Sequence, residues 1–435
     1  MPDRARRQRR NPGTGGIFEV IDPKPALALP EHYFRHESGR LVSVLSRRFG
    51  VHRVELCEDA VQTALLRAVQ SWPQQGMPDD KGAWLYRVAL NEVLGALRRS
   101  RRTDASVEDA EDIAAEPGSD DVVYLENEVK DDQLRMLFVC ANPEIPRESR
   151  IVFTLKILCG FSVEEIALRL FQSPEAVYKR VQRARAALRE RIEDLETPPI
   201  AELANRLPAV LEILYLLFTE GYSSAQPDRV IRHELCEEAI RLGRLLDEHL
   251  VGAVPETAAL LALMYLDAAR FESRVDGAGG LLLLEEQDRS LWDRDLIQVG
   301  ISYLHRSARG PVFTTYHAEA GIAAEHCLAP TYKETRWNEI ARLYEMLDAV
   351  APSPINTLNR AIAIAEWQGP DAGLALLEAV KPPPWLLGYY LWDATLGELY
   401  RRRGDRERAT AHLTRALAAA PTNAEKALLQ RRLEA

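Results

Sequence analysis

The stretch that most constrains how this chain folds runs from Phe161 to Leu195, FSVEEIALRLFQSPEAVYKRVQRARAALRERIEDL. It holds two short helical patterns separated by only a few residues, so the backbone has to double back there. Ser162 and Glu165 have capping-box spacing, and Phe161 with Ile166 flanks them as a hydrophobic staple. Ser173 suits the N-cap of the second helix and Pro174 its first position. Val177, Val181, Ala184, Leu188, Ile192 and Leu195 then recur at helical spacing and form one apolar face. Lys179, Arg180, Arg183 and Arg185 lie off that face, toward the front of the helix. A capped helix, a tight turn and a basic second helix match the helix-turn-helix, whose second helix enters the major groove. The same pattern also fits an ordinary helical hairpin with a solvated basic face, so context has to decide.

The chain has 435 residues, 46% of them hydrophobic, enough for two or three domains with cores of their own. Apolar runs of helical period dominate, which predicts an all-α protein. The net charge of -10 is unusual for a protein that binds DNA alone, but the charge is unevenly distributed. Five cysteines, Cys57, Cys140, Cys159, Cys236 and Cys327, show no CxxC pair and no metal spacing. That argues for a reducing compartment and against disulfides or zinc. No window approaches a membrane span, and the arginine-rich start lacks a following apolar core. A cytoplasmic protein is expected.

Residues 1–30 read as a disordered basic arm. In the first ordered unit, Val61, Ala64, Leu65, Ala68, Val69 and Trp72 form an apolar stripe. Glu58, Asp59, Gln62 and Thr63 sit outside it, either a solvated face or a docking surface for a basic partner. A further helix, from about Ala83 to Arg102, places Arg87, Asn91, Arg98 and Arg102 along one face, with Trp84 and Tyr86 near its start. Such a face suits phosphate contacts plus stacking on unpaired bases, and it also suits a solvated helix end. Residues 104–122 are acidic and poor in bulky apolar residues, as a linker would be.

In this order the pieces are specific. EDAVQTALLRAVQSWP from Glu58, AWLYRVALNEVLGALRR from Ala83 and VEEIALRLFQSPEAVYKRVQRARAAL from Val163 resemble the extracytoplasmic-function (ECF) sigma factors of bacterial RNA polymerase. The resemblance implies a region 2 at 31–103 and a region 4 at 123–196. It implies that Glu58, Asp59, Gln62 and Leu66 dock on the β′ clamp of core RNA polymerase, with the β flap as a further contact. Trp84, Tyr86, Arg87, Asn91, Arg98 and Arg99 would melt and read the -10 element of promoter DNA. Tyr178, Lys179, Arg180, Arg183 and Arg185 would read the -35 element. Leu90 and Gly95 depart from the family, which usually has arginine and aspartate there; the glycine weakens its helix by about 1 kcal/mol relative to alanine. Phe171 replaces the turn glycine of many helix-turn-helix units. A protein held to DNA by the polymerase need not carry a strongly basic field itself.

Residues 200–435 are again helical in pattern. Leu396, Gly397, Tyr400, Gly404, Ala409, Leu413, Ala416 and Pro421 fall on the tetratricopeptide pattern (TPR), and a weaker copy precedes it, so an α-solenoid is expected. Such a surface would take a regulatory protein or ligand, or would only brace the sigma core. TEGY from Thr219, the segment from Arg270 to Gly300 and SPINTLNRAIA from Ser353 resemble the sigma subgroup with a tetratricopeptide-like extension. Among these, Asp288, Arg289, Asp293 and Arg294 are expected to form internal salt bridges ahead of a ligand site. The spacing of His317, His326 and Cys327 does not support a metal. No phosphate loop, nucleophile elbow or HExxH is present, so neither catalysis nor a cofactor is expected. The readings that compete with a sigma factor are a stand-alone helix-turn-helix regulator with a TPR sensor and a TPR adaptor.

Overall fold

The computed structural model describes residues 31–103, 126–170, 172–189, 200–222, 233–276, 282–383, 386 and 389–434. The basic arm, the acidic linker, Phe171, Ile192, Leu195 and the glycines at 277, 279 and 280 lie outside these. The described residues form 18 α-helices and no β-strand. None of these helices is long and apolar enough to cross a membrane.

Three helices make the first unit: α1 (Glu31–Phe49), α2 (Val54–Gln75) and α3 (Lys81–Thr103). Leu41, Val42 and Leu45 of α1 pack with Val61, Ala64 and Ala68 of α2 and Leu85, Ala89 and Val93 of α3. Trp72 closes one end, with its ring 5.5 Å from Trp84 and 6.1 Å from Phe34. The α2 seam is narrower than the sequence stripe, because Val69 is 58% exposed beside Leu66 at 62%.

The second unit has α4 (Glu126–Cys140), α5 (Arg147–Ile157), α6 (Val163–Arg169) and α7 (Pro174–Arg189). Ser162 caps α6 in a complete capping box: its hydroxyl accepts from the Glu165 backbone N–H, and the Glu165 carboxylate accepts from the Ser162 backbone N–H. Phe161 and Ile166 are both buried, as a staple requires. The Ser173 hydroxyl accepts from the Ala176 N–H at the start of α7. Val177, Val181, Ala184 and Leu188 are buried, so the apolar face of α7 is the one its period marks.

The two units touch along α1. Gly39 lies against the end of α5, where a Cβ would stand 1.9 Å from the Leu158 carbonyl oxygen. Gly160, with φ of 68°, turns the chain beside Arg35 in a conformation that L side chains rarely adopt.

Eleven further helices follow. α8 (Ile200–Tyr222) packs on α4 and α5, and α9 (His233–Asp247) on α8 and α4. Beyond them α10 (Pro255–Ala268), α11 (Arg294–Ser307), α12 (Thr315–Leu328), α13 (Trp337–Val350), α14 (Pro354–Gln368), α15 (Pro370–Glu378), α16 (Tyr390–Arg403), α17 (Arg406–Ala419) and α18 (Asn423–Glu434) pack mainly on their neighbours in sequence. This is the quasi-one-dimensional contact pattern of stacked helix pairs. Small residues set the crossings: a Cβ on Gly397 would stand 2.7 Å from Leu413 of the next helix.

The expected salt bridges of the 288–294 segment are not what holds it. Asp288 accepts from the Ser290 N–H, and Asp293 caps α11 through the N–H groups of Asp295 and Leu296. Arg289 donates to the carbonyls of His326 and Ala329 and lies over the Trp292 ring. Trp292 is buried and donates to the Ser273 hydroxyl at 2.7 Å. Carboxylates near helix starts satisfy orphan N–H groups, which is worth more than an exposed ion pair.

Burial pushes the Glu319 carboxyl of α12 up to about 7, with Asp267 adding to the rise and a hydrogen bond from the Tyr215 hydroxyl opposing it. A raised carboxyl favours folding while it stays protonated, so this stabilisation is present at low pH and lost as pH rises through about 7. Glu319→Gln should flatten the decline in thermal midpoint between about pH 4.5 and 7, as followed by calorimetry; an unchanged slope would contradict this. Ser162→Ala should lower the unfolding free energy by about 1 kcal/mol in urea titration, the usual loss for an N-cap.

Candidate functional site

The residues with chemical potential gather on α2, α3 and α7. On α2, Asp59, Gln62 and Leu66 are exposed and, with Val69, make one mixed polar and apolar face. Burial raises the Asp59 carboxyl above its ordinary value, and the neighbouring Glu58 adds to the rise. Glu58 itself is only 5% exposed, so it is not part of that solvated face. On α3, Arg87, Asn91, Arg98 and Arg99 are exposed. Trp84 is half-buried against Trp72. Tyr86 is buried, and its hydroxyl accepts from Arg48 Nη1 at 3.2 Å, tying α3 to α1. A Cβ on Gly95 would meet only Arg99 Nη1, at 3.5 Å, so alanine fits there without displacement. Leu90 is half-buried against the core, which removes it from the polar face altogether.

On α7, Tyr178, Lys179 and Arg183 are exposed, Tyr178 to 55%. Arg180 is half-buried, and its guanidinium reaches Glu148 of α5 at 3.3 Å. Arg185 differs from all of them. It is 8% exposed and lies between two carboxylates of α2, with Nη1 2.8 Å from Glu55 Oε1 and Nη2 2.8 Å from Glu58 Oε2. Lys156 of α5 reaches the other oxygen of Glu58 at 2.7 Å, and Arg189 reaches Glu55 at 2.5 Å. Three cations of the second unit therefore enclose two acids of the first.

The sequence reading thus gathered Glu58 and Arg185 into different surfaces, and the fold places them against each other. It had no part for Glu55, Lys156 or Arg189. Glu55 and Glu58 one helical turn apart, and Arg185 and Arg189 likewise, were the available signal: two short charged strips of opposite sign. Among the described residues, no three His, Cys, Asp or Glu side chains group as a metal site.

Residues 33–103 match the family described as sigma-70 region 2, and residues 136–188 match sigma-70, region 4. Residues 206–308 match a family of unknown function, DUF6596. An uncharacterized protein of Rhizobium meliloti (strain 1021), R00370, is 37% identical over 388 residues, covering 88% of this chain and 90% of that protein. The ECF RNA polymerase sigma-E factor of Escherichia coli (strain K12) is 28% identical over 141 residues, 32% of this chain and 74% of that protein. The factor of the same name from Salmonella typhimurium (strain LT2) is 27% identical over the same length. No solved structure matches the chain. With a three-helix unit and a capped helix-turn-helix unit matching the two regions in order, and further helices following, the chain belongs to the extracytoplasmic-function branch of the sigma-70 family, in a form that carries a C-terminal extension.

Proposed function

We propose that this protein binds core RNA polymerase in the cytoplasm and directs it to a subset of promoters, with the C-terminal helices setting its activity. The observation that carries the reading is the exposure pattern. Asp59, Gln62 and Leu66 on α2, Arg87, Asn91, Arg98 and Arg99 on α3, and Tyr178, Lys179 and Arg183 on α7 are all exposed, each group on one helix of a sigma-70 unit. The α2 face offers an apolar anchor in a polar rim, the composition of a protein contact, and takes the β′ clamp. The α3 face suits the unpaired -10 strand, through guanidinium contacts to phosphate and stacking on Trp84. Tyr86 supports that face from inside the core rather than touching a base. The front of α7 takes the -35 element in the major groove, and the second unit contacts the β flap.

The extension is attached to the second unit by packing of α8 on α4 and α5 and of α9 on α4, with polar contacts alongside. Arg206 of α8 donates to the Phe138 carbonyl, Arg147 of α5 pairs with Glu212, and Arg241 of α9 donates to the Gln133 side chain. A TPR-like run of helix pairs fixed in this way can pass a partner's or ligand's binding energy to the DNA-reading unit. It also braces that unit.

Run-off transcription with core polymerase tests the reading. Promoter-dependent transcripts are expected only when the protein is present. Leu66→Asp should weaken co-elution with core at least about tenfold, as a charge buried at an apolar anchor does. Duplex binding with no core-dependent transcripts would favour a stand-alone regulator, and absence of both would favour an adaptor.

A further inference from the structure

We propose that the inner face of the C-terminal helix stack is a docking groove for an acidic peptide segment of a partner protein, one that presents a leucine followed by two carboxylates. The chain's own residues 282–287 lie in that groove as a stand-in. The proposal deepens the reading that the extension sets activity, and it rests on that reading for the consequence of binding. Helices α10 to α18 pack mainly on their neighbours in sequence, so α10 and α18 stand at opposite ends of the run. The 282–287 segment nevertheless touches both ends. Its Leu282 N–H donates to the Arg274 carbonyl, a few residues beyond α10, at 2.9 Å. Leu284 packs against the core shared by α10, α11 and α12 and against that shared by α12, α13 and α14. Glu285 then reaches Arg432 of α18, 147 residues along the chain, at 3.2 Å, and Glu286 reaches Arg431 at 3.8 Å. A short segment can make all these contacts from the concave side of a curved stack.

The contacts of the segment show what the groove recognises. A leucine meets apolar ground between helix pairs, and a carboxylate meets a guanidinium that Glu398 of α16 also engages. An apolar anchor beside a charged fork gives a peptide both affinity and orientation. The segment is nonetheless held lightly. Glu285 and Glu286 are exposed and Leu284 is half-buried, and exposed ion pairs contribute little. Glu286 also folds the segment on itself: its N–H donates to the Leu283 carbonyl at 2.9 Å, and its carboxylate accepts from the Leu283 N–H at 2.7 Å. Part of the hold is therefore internal to this turn and not made to the groove. A tethered occupant competes through its high local concentration, which lowers the apparent affinity for any free peptide. A partner that carries the same pattern and adds contacts of its own displaces it.

Fluorescence anisotropy with the full chain and a labelled synthetic peptide, LLLEEQD, tests the groove. Leu284→Asp removes the apolar anchor of the tethered segment, and Glu285→Arg sets a like charge against Arg432. Both positions lie outside helices and are at least partly in solvent, and circular dichroism checks that each variant keeps its helices. Each variant should bind the free peptide at least about tenfold more tightly than the parent chain does. In the Leu284→Asp chain, a further Arg432→Glu should remove that gain, and the charge-reversed peptide LLLKKQD should not bind. Unchanged affinity in both variants, or equal binding of LLLKKQD, would overturn the groove. Peptide binding that leaves the yield of core-dependent transcripts unchanged would support the groove and overturn the reading that the extension sets activity.

Discussion

The arrangement of this protein turns on one guanidinium. Arg185 projects from the second helix of the helix-turn-helix, and it is held between two carboxylates of a helix in another unit. A buried cation needs partners, and Arg185 has them at Nη1 and Nη2 but none at Nε. Lys156 and Arg189 reach the same two acids. The close approach of α1 to the end of α5 is compatible with it only because residue 39 has no side chain.

Within each unit, the sequence was a good guide. The capping box at Ser162, the N-cap at Ser173, the apolar face of α7 and the exposed cations of α3 all stand where local spacing puts them. These depend on neighbours within a few residues, and helical period reports them directly. Between units it was silent. Period says that Glu58 is off the α2 seam, but not that a second unit covers that side. The same limit explains Tyr86, whose ring enters the core while its hydroxyl serves α1, and Val69, at the edge of the stripe and left in solvent. The 288–294 segment misled for another reason. Its alternating charges look like ion pairs, but its acids precede helix starts, where backbone N–H groups bind them first.

The extension is packed onto the second sigma unit. α8 and α9 pack on the second unit, and the later helices pass contacts from each pair to the next. A modest displacement near α10 would therefore reach α4 and α5 through packed side chains and not through a free linker. The net charge of -10 has the same logic. Acidic residues partner Lys156, Arg185 and Arg189, while the cations of α3 and the front of α7 stay exposed, so the total charge says little about either face.

The most direct measurement is zero-length carbodiimide coupling followed by peptide mass spectrometry. It joins an amine to a carboxylate only when they touch, and Lys156 Nζ stands 2.7 Å from Glu58 Oε1. The account predicts a Lys156–Glu58 cross-link in the free protein. A free protein without that cross-link would contradict the account.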